Sequence, residues 1–532
     1  MKKQEIKLTQ TELIIIVCLF LTPFYNYAFT MQTVDAFPFV LSNMAFFASL
    51  FFVITSLNIF LSTVVSNHYT LKGMFILIFL VTSMTSYFTN SYGVVMDKNM
   101  IRNLVQTDMH ESLDLLSVKQ VVYFIVFGLI PSFFVYRVKL VKREFKKEIV
   151  AKLKLGIFSL LFLAANIFAF SQHYTSFFRE FGELRTYINP TYWIYNSVAY
   201  VWSTDYTNVV AAPIEDDAKI ADTNSSKKLL IMVVGEAARA DHFSLNGYKR
   251  ETNPLLKKED IINFSDYSSC GTSTAYSVPC MFSIFGRSDY DYAKGISNEN
   301  VLDVLNHTDR VSILWRDNNS NSKGVALRVP YEDYKYDTIN SICENGECRD
   351  EGMLVGLDEY IEKHSDKNIL IILHQMGNHG PAYYKRYPEE FLKFKPVCQT
   401  SQLEECSQES IKNAYDNALL YTDYFLSKTI NLLKKYDGEF ETGLIYMSDH
   451  GESLGEHGVY LHGLPYSIAP DAQTRVASIM WLGKKSQKSF DVESLKKRSD
   501  KSYSQDNLFH TLLGFFGVET KVYDSSLDIL KR

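Results

Sequence analysis

Two hydrophobic patterns divide the chain. Before about residue 171, apolar residues fall in long blocks, roughly 13–30, 40–64, 72–89, 119–136 and 155–171, whereas after residue 229 they fall in short β-rich runs. Each long block approaches the roughly 17–25 residues a helix needs to cross the hydrocarbon core of a bilayer. The first block follows MKKQEIK like a signal peptide, but no small-residue cleavage site is evident and four further blocks follow, so all five are expected to be membrane anchors. The runs LLIMVVG (229–235), VSILWR (311–316), NILIILH (368–374) and GLIYMSD (443–449) predict strands buried on both faces. Helical segments such as 408–436 separate them, which predicts a mainly parallel α/β sheet. Between the two patterns, aromatic-rich 176–202 suits helices at the lipid headgroup level or in a core, and polar 212–228 reads as a linker. The expected organisation is a five-span transmembrane domain at 1–172, interfacial helices and linker at 173–228, and a soluble α/β domain at 229–532.

Charge adds direction. A net charge of −6 from 54 basic and 60 acidic residues leaves no global basic field, so nucleic acid is not an expected partner. The loop 136–154 nevertheless holds eight Lys and Arg, which places it and the basic N-terminus in the cytoplasm, with MQTVDAFPF and 90–118 facing outward. An odd number of spans then sends the soluble domain outside. In a double-membrane bacterium that is the periplasm, where disulfides persist. The cysteines agree: Cys18 lies in the first span and the other six fall in close pairs, Cys270/Cys280, Cys343/Cys348 and Cys398/Cys406. Their spacings do not fit a zinc ribbon, so three local disulfides are expected.

In a parallel sheet the chemistry lies beyond the carboxyl ends of the strands. Glu236 follows the first run, His374 and His379 end and follow the third, and Asp449 and His450 end and follow the fourth. Two carboxylates and an imidazole suit a divalent ion such as zinc, with a fourth position open. The stretch SSCGTSTAYSVPC (268–280) supplies hydroxyls that a metal could activate, and TAYSVPCMFSIF looks like a helix start whose amides would favour a phosphoryl group. On these grounds Thr272, Ser273, Thr274 and Ser277 all remain candidate nucleophiles.

Six motifs then occur in order: VVGEAARADHFSLNGY, CGTSTAYSVPCMFS, WRDNNSNSKG, LHQMGNHGPAYYKRY, NAYDNALLYTD and SDHGESLGEHGVYLHG. Together they closely resemble the lipid A phosphoethanolamine transferases, membrane enzymes of the alkaline phosphatase superfamily that include the mobile colistin-resistance proteins. The resemblance covers essentially the whole chain and implies a periplasmic alkaline-phosphatase/sulfatase-like α/β/α sandwich behind a five-helix membrane domain. It implies Thr274 as the nucleophile and, with Glu236, Asp449 and His450, as a ligand of a catalytic Zn2+. It makes His379 and His462 catalytic, phosphate-binding histidines with room for a second zinc, and makes Ser320 and Lys323 donor contacts. Asn103, Thr107 and Glu111, in the loop between the third and fourth spans, would meet the ethanolamine head group.

The implied enzyme is a zinc-dependent phosphoethanolamine transferase of the bacterial inner membrane, a monomer among inner membrane lipids. It would take phosphatidylethanolamine as donor and a lipid A phosphate as acceptor, through a phosphoethanolaminyl-threonine, and so imply polymyxin resistance. Transfer to a lipopolysaccharide core or Kdo sugar, or phosphodiester hydrolysis, is the alternative. A sulfatase would share the fold, but Ser277-Val278-Pro279 continues with Cys280-Met281 and lacks the Arg of a C/S-x-P-x-R motif. From proximity along the chain, Cys270–Cys280 is expected to position the nucleophile, and Cys343–Cys348 and Cys398–Cys406 to serve mainly stability.

Overall fold

The structure is a computed structural model and describes residues 6–36, 40–107, 115–203, 211–221, 226–344 and 346–531. Two compact units form, one from residues 1–101 with 116–200 and the other from 102–115 with 201–532.

The first unit is helical. Helices Met44–Val65, Leu71–Tyr92 and Val118–Arg137 are each long and apolar enough to cross a membrane. Two further spans result if the bent pairs Gln10–Tyr25 with Tyr27–Asp35 and Phe145–Ala169 with Ser171–Arg179 each count as one, which reproduces the five predicted blocks. The opening helix starts where local chemistry dictates: the Thr9 hydroxyl accepts from the Glu12 amide, and the Glu12 carboxylate accepts from the Thr9 amide at 2.8 Å. Its break falls at Asn26, whose side chain trades hydrogen bonds with the backbone of Asn189, giving at 3.0 Å and accepting at 2.7 Å. Both asparagines are buried, so this exchange ties the aromatic-rich segment near 190 to the first bend.

The second unit is built on a seven-stranded sheet. Its strands are β1 (Lys228–Gly235), β2 (Ile261–Phe264), β3 (Val311–Asp317), β4 (Tyr331–Asp333), β5 (Asn368–His374), β6 (Glu441–Ser448) and β7 (Ser478–Leu482). They lie in the order β2-β7-β6-β1-β5-β3-β4. The run β6-β1-β5-β3-β4 is parallel, and β7 pairs antiparallel with both β6 and β2. The four predicted strands are therefore the four central ones. They are continuous apolar runs because helices cover both faces: Leu230, Met232 and Val234 pack in one core with side chains of Val301–His307 and Leu508–Phe516, while the 29-residue helix Gln408–Tyr436 packs on β6. Part of the stretch expected to be a linker is stitched in, since Lys219–Ile220 pairs with Val518–Glu519.

All three expected disulfides, Cys270–Cys280, Cys343–Cys348 and Cys398–Cys406, are present, and Cys18 is a buried free thiol. The third closes the approach to helix Gln408–Tyr436. Cys398 is buried and its amide donates to the Ser410 carbonyl in the first turn of that helix, whereas Cys406 is only half-buried, ending the turn Leu403–Glu405 with its amide on the Leu403 carbonyl.

Candidate active site

The parallel strands deliver their last residues to one edge of the sheet. Glu236 leaves β1, Asp449 and His450 leave the adjacent β6, and each is essentially inaccessible to solvent. One ligand atom from each of the three lies within 4.8 Å of the other two. The loop after β5 can approach Glu236 closely because Gly377 has φ +47°, and a Cβ there would stand 3.0 Å from the Glu236 carbonyl oxygen.

The hydrogen bonds around this trio leave a gap of defined chemistry. His450 Nδ1 donates to the Gly451 carbonyl at 2.8 Å, which turns the lone pair of Nε2 toward Glu236 Oε1 and Asp449 Oδ2, 3.4 and 3.3 Å away. Those two carboxylate oxygens are buried and accept no hydrogen bond. Their partner atoms are satisfied: Glu236 Oε2 accepts from Asn319 Nδ2 at 2.9 Å, and Asp449 Oδ1 accepts from the amides of His450 and Ala237. Burial, and then the negative charge of Asp449, push the Glu236 carboxyl well above the usual carboxylate range, while burial pushes the His450 imidazole down to about 4. Two orphaned buried carboxylate oxygens facing a neutral imidazole nitrogen are a ligand set for a divalent cation, and the residues fit zinc.

Thr274 completes the set. It is the first residue of helix Thr274–Met281, and its hydroxyl donates to Glu236 Oε2 at 3.1 Å and lies 3.3 Å from His450 Nε2. Thr272 instead donates to the Leu464 carbonyl, and the Ser277 hydroxyl accepts from the Gly271 amide. Of the four hydroxyls that the sequence left open, Thr274 is the one that meets the carboxylate-imidazole cluster. Next to it, the ring of His462 lies 4.2 Å from that of His450 and 6.0 Å from that of His379.

The comparisons with known proteins follow the same division of the chain. Residues 228–518 match the family model described as Sulfatase, and residues 53–204 match Phosphoethanolamine transferase EptA/EptB. Over 517 residues, 94% of each chain, the sequence is 43% identical to "Phosphatidylethanolamine transferase Mcr-1" of Escherichia coli. The chain belongs to the phosphoethanolamine transferase family. It is also 39% identical over 528 residues to "Phosphoethanolamine transferase EptA" of Escherichia coli (strain K12), covering 95% of this chain and 94% of that one. The solved integral membrane lipooligosaccharide phosphoethanolamine transferase A (EptA) from Neisseria meningitidis superposes with a TM-score of 0.94 at 35% identity, over 98% of this chain and 99% of that one.

The remaining expected site residues of this phosphoethanolamine transferase are dispersed. Ser320 and Lys323 occupy a tight loop after β3, where Lys323 has φ +50° and its ammonium donates to the Ser320 carbonyl at 3.1 Å. The same loop carries Asn319, the residue that holds Glu236. Asn103 and Thr107 group with the second unit, and the Thr107 hydroxyl bonds back to the Asn103 carbonyl at 2.7 Å. Among the described residues no hydrogen bond joins either of them to Thr274, and Glu111 lies outside the described residues. His374 is buried with Nδ1 on Asp317 at 2.9 Å, and His457 sits in the hairpin turn after Gly455, so neither joins the cluster. Nor do Cys398 and Cys406, whose amides bond to the Ser410 and Leu403 carbonyls; their bridge belongs to the entry of helix Gln408–Tyr436 and not to the site.

Three supporting residues escaped the sequence reading. Asn319 and Glu452 lie inside quoted motifs, and Glu452, fully buried, stands 3.2 Å from His462 Nδ1. Their positions, two residues beyond β3 and two beyond His450, were the available signal. Gln505 gave none: its amide accepts from the Cys270 amide at 2.6 Å and donates to the carbonyls of Ser448 and Asp449 at 2.8 Å, joining the stapled loop to the turn that carries Asp449 and His450.

Proposed function

We propose that the protein transfers phosphoethanolamine from phosphatidylethanolamine to a phosphate of lipid A, through a covalent phosphoethanolaminyl-Thr274, at the periplasmic face of the inner membrane. The helical unit anchors the enzyme among its lipid substrates, and the unit built on the seven-stranded sheet carries the chemistry. The observation that carries this reading is the Thr274 hydroxyl, set at a helix start against Glu236 and His450 beside two uncompensated carboxylate oxygens. It is supported by the 43% identity to a protein named as a phosphatidylethanolamine transferase.

Glu236, Asp449 and His450, with Thr274, would hold zinc. When bound, zinc supplies Lewis-acid chemistry, lowering the cost of ionising a hydroxyl and offsetting charge on phosphoryl oxygens. Thr274 Oγ1 attacks phosphorus; the Oγ1–P bond forms, the bond from phosphorus to the glycerol oxygen breaks, and diacylglycerol leaves with the threonine proton. The first-turn amides of helix Thr274–Met281 carry partial positive charge that favours the transferred group. Ser320 and Lys323 contact the donor phosphate, and Asn103, Thr107 and Glu111 the ethanolamine. An oxygen of the lipid A phosphate then attacks the same phosphorus, the Oγ1–P bond breaks, and a proton returns to Oγ1. His379 and His462 hold the acceptor phosphate and move that proton, with Glu452 orienting His462; the same pair would accommodate a second zinc.

The test uses the full chain in liposomes of phosphatidylethanolamine and lipid A, read by mass spectrometry of both lipid A and the Thr274 peptide. The expected result is an adduct on Thr274 and modified lipid A, both lost in Thr274→Ala and on chelation and the latter restored by zinc. An adduct on another hydroxyl, or full transfer by metal-free protein, would overturn the reading.

A further inference from the structure

The stretch 346–350 lies outside the catalytic trio, yet it grips the loop that carries His379 at two points. Upstream of His379, the buried Asp350 carboxylate accepts from the amides of Met376 at 2.8 Å and Gly377 at 3.1 Å. At His379 itself, the main-chain carbonyl accepts from Nε of Arg386 at 2.8 Å. The other arm of that guanidinium, Nη1, donates to Glu347 Oε2 at 2.5 Å. Glu347 stands on the second strand of a short hairpin in which Glu347–Cys348 pairs with Cys343–Glu344 and a disulfide joins Cys343 to Cys348. The grip is reciprocal, since Arg349 Nη1, one residue past the hairpin, donates to the Lys385 carbonyl at 2.6 Å.

We infer that Arg386 and Glu347 are positioning residues for His379, relaying the rigidity of the Cys343–Cys348 hairpin to the histidine's main chain. A surface ion pair would have both groups in water and no directional task. Here the Arg386 side chain is 3% exposed and Glu347 19%, and the planar fork of the guanidinium spends one edge on the carboxylate and another on the His379 carbonyl. Fixing that carbonyl restricts the torsion beside the histidine's Cα, and so sets where the imidazole sits relative to His462. A lysine keeps the charge but has no second donor in a fixed direction. This inference rests on the reading in which His379 holds the acceptor phosphate.

The experiment is steady-state transfer by the full-length reconstituted enzyme in Arg386→Lys, Glu347→Gln, the double variant, and each of these in a His379→Ala background. Melting temperature and Thr274 adduct formation are measured on every sample. We expect Arg386→Lys to lower kcat for transfer about tenfold, with KM for phosphatidylethanolamine within about twofold and the protein folded. Glu347→Gln, which keeps the shape and an acceptor, moves kcat the same way by about threefold, and the double variant is no worse than Arg386→Lys because both act through one carbonyl. In His379→Ala neither substitution changes the residual rate. Wild-type kcat in both folded variants, or losses that persist undiminished without His379, would overturn the inference. If the wild-type enzyme forms no Thr274 adduct, the transferase reading fails instead; if it does and the variants are unaffected, the relay alone fails.

Discussion

Replacing Cys270 and Cys280 together by alanine separates two roles a staple beside a nucleophile can have. Alanine is the suitable probe because the pair sits in an apolar pocket with Tyr290, Tyr276 and Phe285, where a serine hydroxyl would add a desolvation cost of its own. The bridge spans 10 residues, and closing a loop of that size in the unfolded chain contributes about 3 kcal/mol to stability. In the folded state, however, the loop is held many times over. The Ser269 amide donates to the Thr474 carbonyl and the Ser269 hydroxyl to that of Gly271. The Cys270 amide meets Gln505 and the Gly271 amide meets Ser277. The Thr272 hydroxyl and carbonyl are tied to Leu464 and Gly463. At about 1 kcal/mol each, these six bonds outweigh the staple, so the loop should keep its native shape without it. We therefore expect the double variant to melt roughly 6–12 °C lower, at about 2–4 °C per kcal/mol, while transfer per folded, zinc-loaded molecule stays within about threefold of wild type. The assay pairs thermal unfolding with lipid A mass spectrometry at a temperature where both proteins are folded. A variant that melts with the wild type yet loses more than about tenfold in transfer would refute the reasoning, and would return the staple to the catalytic role that chain proximity suggested.

Two more outcomes follow from single side chains. Gln505→Ala strands the buried Cys270 amide and the carbonyls of Ser448 and Asp449, so it should cost about 2–4 kcal/mol and weaken zinc binding at least tenfold; wild-type affinity in a metal titration would contradict this. Asp423, whose carboxylate accepts from the amides of Leu255 and Leu256, is pushed up to about 7, chiefly by burial against those hydrogen bonds, with Glu251 raising it and Lys258 lowering it. A raised folded value means that the proton stabilises the fold: its contribution is complete below the unfolded value near about 4 and is lost as pH rises through about 7. Asp423→Asn should accordingly flatten the pH dependence of the melting temperature across that window, and an unchanged profile would count against it.

How much of this was legible in the sequence depends on how far each residue's partners lie along the chain. The central strands announced themselves because burial on both faces leaves no polar alternation, and the zinc-competent trio could be picked out because β1 and β6 are each followed at once by a carboxylate, Glu236 and Asp449. The edge strands β2 and β4, and β7 beside β2, are short and were not anticipated. What distinguishes Thr274 among the four hydroxyls is tertiary contact: it meets Glu236, whereas Thr272 donates to a carbonyl 192 residues away. Gln505, 235 residues from the amide it accepts, carries no local signature at all. Chain proximity and tertiary contact also rank the cysteines differently. The bridge nearest Thr274 closes a loop that hydrogen bonds already hold, whereas Cys343–Cys348, some seventy residues further on, closes a hairpin whose Glu347 reaches, through Arg386, the carbonyl of His379. Cys398–Cys406 lies at its own turn and at the helix it precedes, where the Cys398 amide bonds to the Ser410 carbonyl. Periodicity reports which face of an element is buried, and strand ends report where chemistry can gather. Which backbone groups a side chain must hold still is decided by the fold, and there a residue's spatial partners need not be its neighbours along the chain.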